Sequence, residues 1–385
     1  MTDQVRFTAD KRELVSGLAW AVKGIGTRPV VPILAGMRLE VSAGTVTLAG
    51  FDYDMAARSH VAADDTSAGV VLVIGHQLLN AVKSLPGGKG ATVTAEVTGS
   101  RLTVSAGNVT ATAEILPMDD YPELPAMPDA AGVIASDGFA AVVKRVAAAA
   151  GTDDTLPVLT AVNMTFAAGT VKLAATDRYR LAADEVAWTG STKAEVNVPA
   201  RELAMFATAM GRDGKVTVHL GKRERGSSAG PRIAFSDGTR EMIIRTEGGE
   251  FPKWSRLFPS GTGASATVDA TALAAALKRA GTASERNSGV HLKFSADGVT
   301  VTAHRDGEVS SRETVPCELD VPAGEGYRVT GWRGAYNPAY LASMLAAVDG
   351  MARLAWAGPR KPVLVKPDGT AGGFRSIVMP VRVPV

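Results

Sequence analysis

Residues 169–177 read GTVKLAATD and residues 44–52 read GTVTLAGFD, so one pattern occurs twice in a chain of 385 residues. A looser third copy, DGVTVTAHRD, occupies 297–306. In each copy apolar residues alternate with other residues after a glycine, which predicts a half-buried strand. The copies are about 125 to 130 residues apart. This spacing is domain-sized and far exceeds the period of a solenoid repeat. The sequence therefore predicts three domains of one kind.

A Val-rich strand and a helix follow the quoted strand in every copy. The strands are GVVLVI, AEVNV and GYRVTGW, and the helices are GHQLLNAVKSL, PARELAMFATAM and NPAYLASMLAAV. The apolar residues of the last two helices recur at i, i+3, i+4 and i+7, the spacing of one buried helix face. They are Leu203, Phe206, Ala207 and Met210, then Leu341, Met344, Leu345 and Val348.

An earlier helix opens each copy behind an aspartate that can serve as its N-cap, namely Asp10, Asp137 and Asp269. The six helices are predicted at about 10–23, 76–89, 137–150, 199–212, 269–281 and 337–348. Tight hairpins are predicted at Gly107-Asn108, Asp237-Gly238 and Asp368-Gly369, dipeptides that tolerate positive φ. We expect an α+β fold of three repeated domains, 1–128, 129–261 and 262–385, each with two helices packed on antiparallel sheets.

Composition excludes several classes of protein. The chain is 46% hydrophobic and 21% charged, as in ordinary globular proteins. No apolar run approaches the length of a membrane span, and the N-terminus lacks the apolar core of a secretion signal. Cys317 is the one cysteine, so no internal disulfide is possible, which fits a reducing cytoplasm. A net charge of +2 does not by itself indicate nucleic acid.

Basic side chains are concentrated on the predicted helices. Phe139, Val142 and Val146 form a buried stripe, and Lys144 and Arg145 point away from it. Two interpretations remain open here: solvated helix surfaces, or one positive lining that attracts phosphates without reading bases. The helix residues that would face DNA under the second interpretation are Lys83, Lys144, Arg145, Arg201, Arg212, Lys278 and Arg279.

The stretch LAATDRYRLAADE, 173–185, places an Asp, two Arg and a Tyr within a few residues. It could be a catalytic site, a phosphate clamp or one side of a docking groove. Taken alone, TDRYRL is best explained as a polar turn between two strands.

The chain as a whole resembles the bacterial sliding clamps, the DNA polymerase III beta subunit family. The motifs that carry the resemblance are TRPVVPIL (27–34), ATDRYRLA (175–182), EFPKW (250–254), NPAYL (337–341) and VMPVRV (378–383). Together with the threefold repeat they are specific, although each motif alone is weak.

The resemblance implies a ring of two chains joined head to tail, with sheets outside and helices around duplex DNA. It implies no catalytic activity, no cofactor and no metal. The expected partners are duplex DNA without sequence specificity, the polymerase III catalytic subunit, an ATP-dependent clamp loader and other replication and repair proteins with clamp-binding peptides. The expected location is the cytoplasm, at the nucleoid. The resemblance also places Arg28 near DNA.

The resemblance further implies a groove that takes a short peptide, typically a Gln followed by Leu and Phe-like residues. Apolar anchors would give affinity, and Arg and backbone groups would fix direction. The groove residues are Leu159, Thr176, Asp177, Arg178, Tyr179, Arg180, Leu181, Pro252, Arg256, Leu257, Asn337, Tyr340, Pro362, Val363, Ile377, Val378, Met379, Pro380, Val381, Arg382 and Val383.

Three features depart from the family pattern. Pro384 and Val385 extend the tail beyond Arg382-Val383, where the family usually ends in Arg-Leu. The family is generally acidic, whereas this chain is not, and Gly281 and Thr282 lie where apolar residues usually form the ring seam. These departures suggest an alternative hypothesis, a specialised second clamp that tolerates an inhibitor of the groove.

Other functions find little support. The motif GSSAG, 226–230, matches G-x-S-x-G, but it lies in a basic loop before a strand, whereas a nucleophile elbow joins a strand to a helix. LPGGKGA lacks the spacing of a P-loop, and the five histidines lack metal-ligand spacing. No helix-turn-helix, zinc or basic-zipper pattern indicates sequence-specific DNA binding.

Overall fold

The computed structural model describes residues 5–26, 28–29, 31–211, 213–222, 230–259, 263–285, 288–321, 333–356, 358, 361–370 and 373–381. The chain divides into two compact units. Unit 1 comprises Met1–Ser136 and Thr208–Thr246, and unit 2 comprises Asp137–Ala207 and Glu247–Val385.

Six α-helices form within the described residues, in the order that the sequence predicts. They are α1 (Lys11–Ala21), α2 (Gly75–Ser84), α3 (Ser136–Ala147), α4 (Ala200–Ala209), α5 (Ala270–Ala283) and α6 (Pro338–Leu345). The Asp10 carboxylate accepts from the N–H groups of Arg12 and Glu13, and Asp269 accepts from Ala272, so both cap their helices as predicted. None of the described helices is long and apolar enough to cross a membrane.

The observed helix ends differ from the predicted ones by up to five residues, and two of these differences change the role of a predicted residue. Helix α2 ends at Ser84, because Leu85 precedes Pro86 and the residue before proline is driven into extended backbone. Lys89 therefore lies outside that helix. Helix α3 begins at Ser136, one residue early, so Asp137 lies in its first turn and is not its N-cap. The Asp137 carboxylate instead accepts from the N–H of Gly138 at 2.7 Å.

The described strands number 26. They are β1 (Arg6–Asp10), β2 (Gly36–Ser42), β3 (Thr45–Phe51), β4 (Met55–Ala62), β5 (Asp64–Ser67), β6 (Gly69–Ile74), β7 (Thr92–Thr98), β8 (Arg101–Ala106), β9 (Val109–Leu116), β10 (Ala130–Ala135), β11 (Ala161–Ala167), β12 (Thr170–Thr176), β13 (Arg180–Ala187), β14 (Ala194–Pro199), β15 (Lys215–Leu220), β16 (Arg232–Ser236), β17 (Arg240–Arg245), β18 (Ala264–Asp269), β19 (Val290–Ser295), β20 (Gly298–Arg305), β21 (Glu308–Val315), β22 (Cys317–Asp320), β23 (Arg333–Tyr336), β24 (Met351–Trp356), β25 (Val363–Pro367) and β26 (Arg375–Val378).

Unit 1 is built on one antiparallel sheet of 13 strands, in the order β10-β15-β16-β17-β4-β3-β2-β6-β9-β8-β7-β1-β5. Helices α1 and α2 pack against each other and bury Leu14, Leu18, Leu78 and Val82 against this sheet. The 117–128 segment crosses the sheet and packs Tyr121 beside its apolar residues.

Unit 2 contains a nine-stranded sheet, β14-β11-β12-β13-β26-β25-β24-β18-β22, and a four-stranded sheet, β21-β20-β19-β23. Helices α5 and α6 pack against each other, and Gly281 permits this contact, because an added Cβ would lie 3.0 Å from Cγ of Pro338. Phe139 of α3 and Phe206 of α4 meet edge to face with centroids 6.5 Å apart.

The quoted repeats fall on equivalent antiparallel pairs, β3–β4, β12–β13 and β20–β21, which confirms the predicted α+β fold of three repeated clamp domains. Gly107-Asn108 joins β8 to β9 and Asp237-Gly238 joins β16 to β17, as predicted. A turn forms at Asp368-Gly369 with the expected positive φ at Gly369, 70°, but the hairpin is not tight, because β25 ends at Pro367 and β26 begins only at Arg375. The third Val-rich strand, 326–332, lies outside the described residues.

Candidate partner-binding groove

The TDRYRL turn joins β12 to β13 in unit 2, and Asp177 holds it together. The Asp177 Oδ1 atom accepts from the N–H groups of Tyr179 and Arg180 at 3.0 and 2.9 Å. The hydroxyl of Thr176 donates to the carbonyl of Arg180 at 2.7 Å. Arg178 takes a positive φ of 78°, which an L-residue adopts at some cost. The aspartate is thus engaged in the turn, which argues against an acid–base role.

Arg180 connects this turn to helix α6. Its Nε donates to Asp177 Oδ2 at 2.9 Å, and another guanidinium nitrogen donates to the Ser343 hydroxyl at 2.8 Å. The guanidinium also lies 4.6 Å from the centroid of the Tyr340 ring. Tyr340 in turn stacks on Tyr179, with centroids 6.2 Å apart. These contacts fix the turn and the start of α6 side by side.

The C-terminal tail runs beside the turn. Strand β26 pairs with β13, so Val378 lies opposite Arg180, and the N–H of Met379 donates to the Tyr179 carbonyl at 2.8 Å. Strand β25 pairs with the other edge of β26, which places Val363 opposite Val378. The N–H of Val381 donates to the carbonyl of Ala335, two residues before Asn337.

Two further segments reach the same strands. The short 3-10 helix Pro157–Thr160 carries Leu159, whose carbonyl accepts from the Gly151 N–H at 2.7 Å. A Cβ on Gly151 would lie 3.6 Å from Cβ of Asp177, so Leu159 and the turn are neighbours. The segment 251–258, with Pro252, Arg256 and Leu257, packs Phe251 against β12 and β13.

The predicted groove residues include buried, half-buried and exposed side chains. Five are buried, namely Thr176, Leu181, Val363, Ile377 and Val378. Tyr179, Leu257 and Met379 are 55%, 51% and 41% exposed, so these three predicted groove residues present large apolar side chains to solvent. Asn337 caps α6 by accepting from the N–H groups of Ala339 and Tyr340. Arg382 and Val383 lie outside the described residues.

Ser343, Trp254, Phe258 and Arg375 contribute to this site but were not predicted. Ser343 could have been found from the sequence, because it follows Tyr340 by three residues on one helix and so shares its face. Arg375 lies over the rings of Phe258 and Trp254. No spacing in the sequence predicts this contact, which depends on how a loop folds back on a sheet.

The predicted DNA-facing residues also divide in two. Arg28, Lys83, Lys144, Arg201 and Lys278 are exposed and form no ion pair with any described residue. Arg145 pairs with buried Asp184 at 2.5 Å, and Arg279 makes a bidentate pair with Glu313 at 2.6 and 3.0 Å. Arg212 is outside the described residues.

Both ion pairs alter the pKa of their members. Burial raises the pKa of the Asp184 carboxyl, and the nearby Arg145 offsets part of that effect. Hydrogen bonding to Arg279 lowers the pKa of Glu313, and the same contact raises the pKa of Arg279. Arg145 and Arg279 should therefore attract a phosphate less strongly than the five basic residues that form no ion pair with a described residue. No cluster of His, Cys, Asp and Glu suited to a metal ion occurs among the described residues.

Repeated domains of two helices on antiparallel sheets, together with a groove that exposes apolar side chains, define a clamp-fold protein. Models of the DNA polymerase III beta subunit match its N-terminal domain at 5–125, its central domain at 133–253 and its C-terminal domain at 255–382. The chain belongs to this family, the beta sliding clamps, which are processivity factors of DNA replication without catalytic activity.

Named relatives agree with this assignment. The beta sliding clamp of Micrococcus luteus is 36% identical over 82% of this chain and 100% of its own length. That of Streptomyces coelicolor is 34% identical over 98% and 99%. The beta sliding clamp homolog GriR of Streptomyces muensis is 32% identical over 90% and 89%.

Solved structures show the same fold at lower sequence identity. A sliding clamp of Pseudomonas aeruginosa, bound to griselimycin, matches with a TM-score of 0.88 at 22% identity over 98% of this chain and all of that chain. The sliding clamp of Bacillus subtilis matches with a TM-score of 0.87 at 20% identity over 99% and 100%.

Proposed function

We propose that two copies of this chain close head to tail into a ring around duplex DNA. The ring tethers the DNA polymerase III catalytic subunit, and other replication and repair proteins, through peptides bound in the groove. An ATP-dependent clamp loader opens it onto DNA in the cytoplasm, at the nucleoid. The observation that carries this proposal is the set of exposed apolar side chains, Tyr179, Leu257 and Met379, around a turn fixed by Asp177.

The groove has the physical properties of a peptide site. Exposed apolar side chains lose few packing contacts when a peptide binds. Burial of the peptide's anchor residue against them stabilises the complex. Met379 has a flexible thioether side chain that adapts to different anchors. Arg178 and Arg256 are exposed beside these residues, where they can orient a peptide that carries an acidic group.

The ring proposal is supported by two strand edges. Strand β9 in unit 1 pairs with β8 along its length but with β6 only at Ile115 and Leu116. Strand β21 in unit 2 ends its sheet and pairs with β20. Such edges recruit another strand, and each carries an exposed valine, Val109 and Val309. Pairing of β9 in one chain with β21 in the next gives a head-to-tail contact.

The DNA proposal is supported by charge without base-reading chemistry. The five exposed basic residues that form no ion pair with a described residue are three lysines and one arginine on helices, and Arg28 after α1. Lysine acts on phosphate as a mobile point charge, which favours contact that is weak, salt-sensitive and independent of sequence. A clamp that slides needs this kind of contact, because specific grip on bases would halt it.

The groove is tested by anisotropy titration of a fluorescein-labelled peptide in which a Gln is followed by Leu and Phe. We expect micromolar binding that Met379→Ala weakens about tenfold, since truncating a side chain at the centre of a small interface typically costs over 1 kcal/mol. Met351→Ala is the matched control, because Met351 is 45% exposed in the same unit but outside the groove. Equal affinity of the two variants would refute the groove assignment.

The specialised second clamp is a second proposal, supported by the likeness to the homolog GriR. Peptide binding that persists at saturating concentrations of a groove-directed inhibitor would support this specialisation. Displacement of the peptide by the inhibitor, as expected of an ordinary groove, would refute this second proposal.

A further inference from the structure

The segment 251–258, here called the linker wall, is one side of the proposed groove and makes few backbone hydrogen bonds. Its described backbone hydrogen bonds are local, from Trp254 to Pro252, from Arg256 to Lys253 and from Leu257 to Trp254. No described backbone bond joins this wall to a strand. The position of Arg256 and Leu257 therefore depends on how the wall's side chains pack.

Three aromatic side chains of the wall provide that packing. Phe251 is buried against Ala174 and Ala183 of the sheet. Trp254 and Phe258 meet edge to face, with centroids 6.3 Å apart and planes at 88°. In the sequence Phe251 lies before Arg256 and Leu257, the predicted groove residues of the wall, whereas Trp254 and Phe258 lie on either side of them. The orientation of the Trp254 and Phe258 rings therefore determines where Arg256 and Leu257 lie.

Arg375 is the side chain that covers both rings. Its guanidinium carbon lies 4.4 Å from the Phe258 centroid and 6.0 Å from the Trp254 centroid, within the range of a cation–π contact. Arg375 begins β26, two residues before Ile377, and lies opposite Ala183 in β13. One side chain thus connects the linker wall to the strand that carries the tail side of the groove.

Space for movement lies next to this contact. Trp254 and Arg375 line a cavity of about 180 Å³ together with Lys172, Lys366 and Phe374. If the guanidinium is removed, the rings lose a partner on one side and have room to turn. Such a turn would move Leu257 relative to Met379.

We infer that Arg375 is a positioning residue of the groove: it sets the spacing between the linker wall and the tail, and so the affinity for partner peptides. The inference rests on the proposed peptide-binding function. It assigns Arg375 no direct contact with the peptide. Its effect is exerted through the rings of Phe258 and Trp254.

The test uses the full chain and the same labelled Gln, Leu and Phe peptide. Arg375→Leu keeps an apolar stem and removes the cation, and we expect it to weaken binding about two- to fivefold, the value of an exposed cation–π contact. Arg375→Lys keeps the cation and should recover part of the affinity. Lys366→Leu is the matched control, because Lys366 lines the same cavity and is bonded to the Thr370 carbonyl.

A double-mutant cycle separates positioning from direct contact. In the background of Phe258→Leu, Arg375→Leu should cause little further loss, because its main ring partner is already gone. A full additional loss in that background, or equal affinity of Arg375→Leu and wild type, would overturn the inference. Failure of the wild-type chain to bind the peptide would instead refute the proposed function. If Arg375→Leu unfolds at a lower temperature, the peptide affinities of Arg375→Lys and Lys366→Leu are compared instead. Weaker binding by Arg375→Lys supports the inference, and equal affinity of these two variants overturns it.

Discussion

At the scale of the residue, three aspartates make the same pair of hydrogen bonds in three separate turns. The Oδ1 atoms of Asp52, Asp177 and Asp237 each accept from the two N–H groups two and three residues ahead. This Asx-type turn explains why the motif ends in Asp at 52 and 177, whereas Asp237 belongs to another hairpin, between β16 and β17. The repeated residue therefore determines backbone shape, and the residues that follow it determine what the surface can bind.

His60 gives unit 1 a pH-dependent contact. Its Nε2 lies 3.3 Å from Glu241 Oε1, and its Nδ1 lies 3.1 Å from the Thr47 hydroxyl. The hydrogen bond to Glu241 raises the pKa of His60 above its ordinary 6.5, and His60 lowers the pKa of Glu241 below its ordinary 4.5. Arg58, 3.9 Å from Glu241, and His219 also lower the pKa of the Glu241 carboxyl.

We expect His60→Gln to lower the unfolding midpoint most near pH 6 and least near pH 8. A raised histidine pKa adds stability that is complete below 6.5 and is lost as pH rises through the folded-state value. The side chain is 37% exposed, so solvent screening keeps the effect below about 1 kcal/mol. Thermal unfolding across this pH range measures it. In a Glu241→Gln background the difference should no longer vary with pH; if the variation is unchanged there, the pair is not its source.

At the scale of the element, the start of α1 depends on a single capping side chain. Asp10 accepts from two N–H groups at the start of α1, whereas Asp137, inside α3, accepts from its neighbour alone. Asp10→Ala should therefore destabilise α1 by about 1 kcal/mol, the usual cost of removing an N-cap, and Asp137→Ala should cost less.

Hydrogen exchange resolved by segment measures this difference. Faster exchange in the first turn of α1 for Asp10→Ala, with little change in α3 for Asp137→Ala, is the expected pattern. Comparable acceleration in both helices would mean that Asp137 contributes as much as a true cap.

Local signals in the sequence were enough to predict the helices and most of the hairpins. Hydrophobic spacing predicted all six helices, and turn chemistry predicted two of three hairpins, because both signals are local. Which of the repeated turns forms a groove is not a local property. Tyr53 and Arg178 have nearly the same φ, 77° and 78°, and the N–H of Arg245 donates to the Asp54 carbonyl as that of Met379 does to Tyr179.

The differences between the two turns arise from their partners in the fold. In unit 1, Asp54 forms an ion pair with Arg245, and Leu34 is 2% exposed. In unit 2 the matching positions hold exposed Tyr179 and Met379, and Leu159 is only half-buried. The strands that bring Arg245 and Met379 to these turns come from distant parts of the chain. A repeat found in the sequence therefore predicts both turns but cannot show which side chains from distant strands lie beside each of them.

At the scale of the whole molecule, the overall charge says little about DNA, since the net charge is only +2. What matters is which cations are already paired. Lys144 is exposed on α3 and unpaired among described residues, while its neighbour Arg145 is held by Asp184. Lys144 should thus provide more of the attraction to phosphate than Arg145, although the two are adjacent in sequence.

The contribution of Lys144 can be measured from the salt dependence of binding to duplex DNA. Removing one cation that neutralises a phosphate should reduce the slope of log K against log salt by about 0.9. Lys144→Gln should therefore reduce the slope, whereas the matched variant Lys172→Gln, an exposed lysine on strand β12, should not. Two duplexes of unrelated sequence should give the same result, and peptide binding in the groove should be unchanged.

If Lys172→Gln reduces the slope as much as Lys144→Gln, the positive lining is not on the helices. If only one duplex responds, the contact reads sequence, and a freely sliding clamp is excluded.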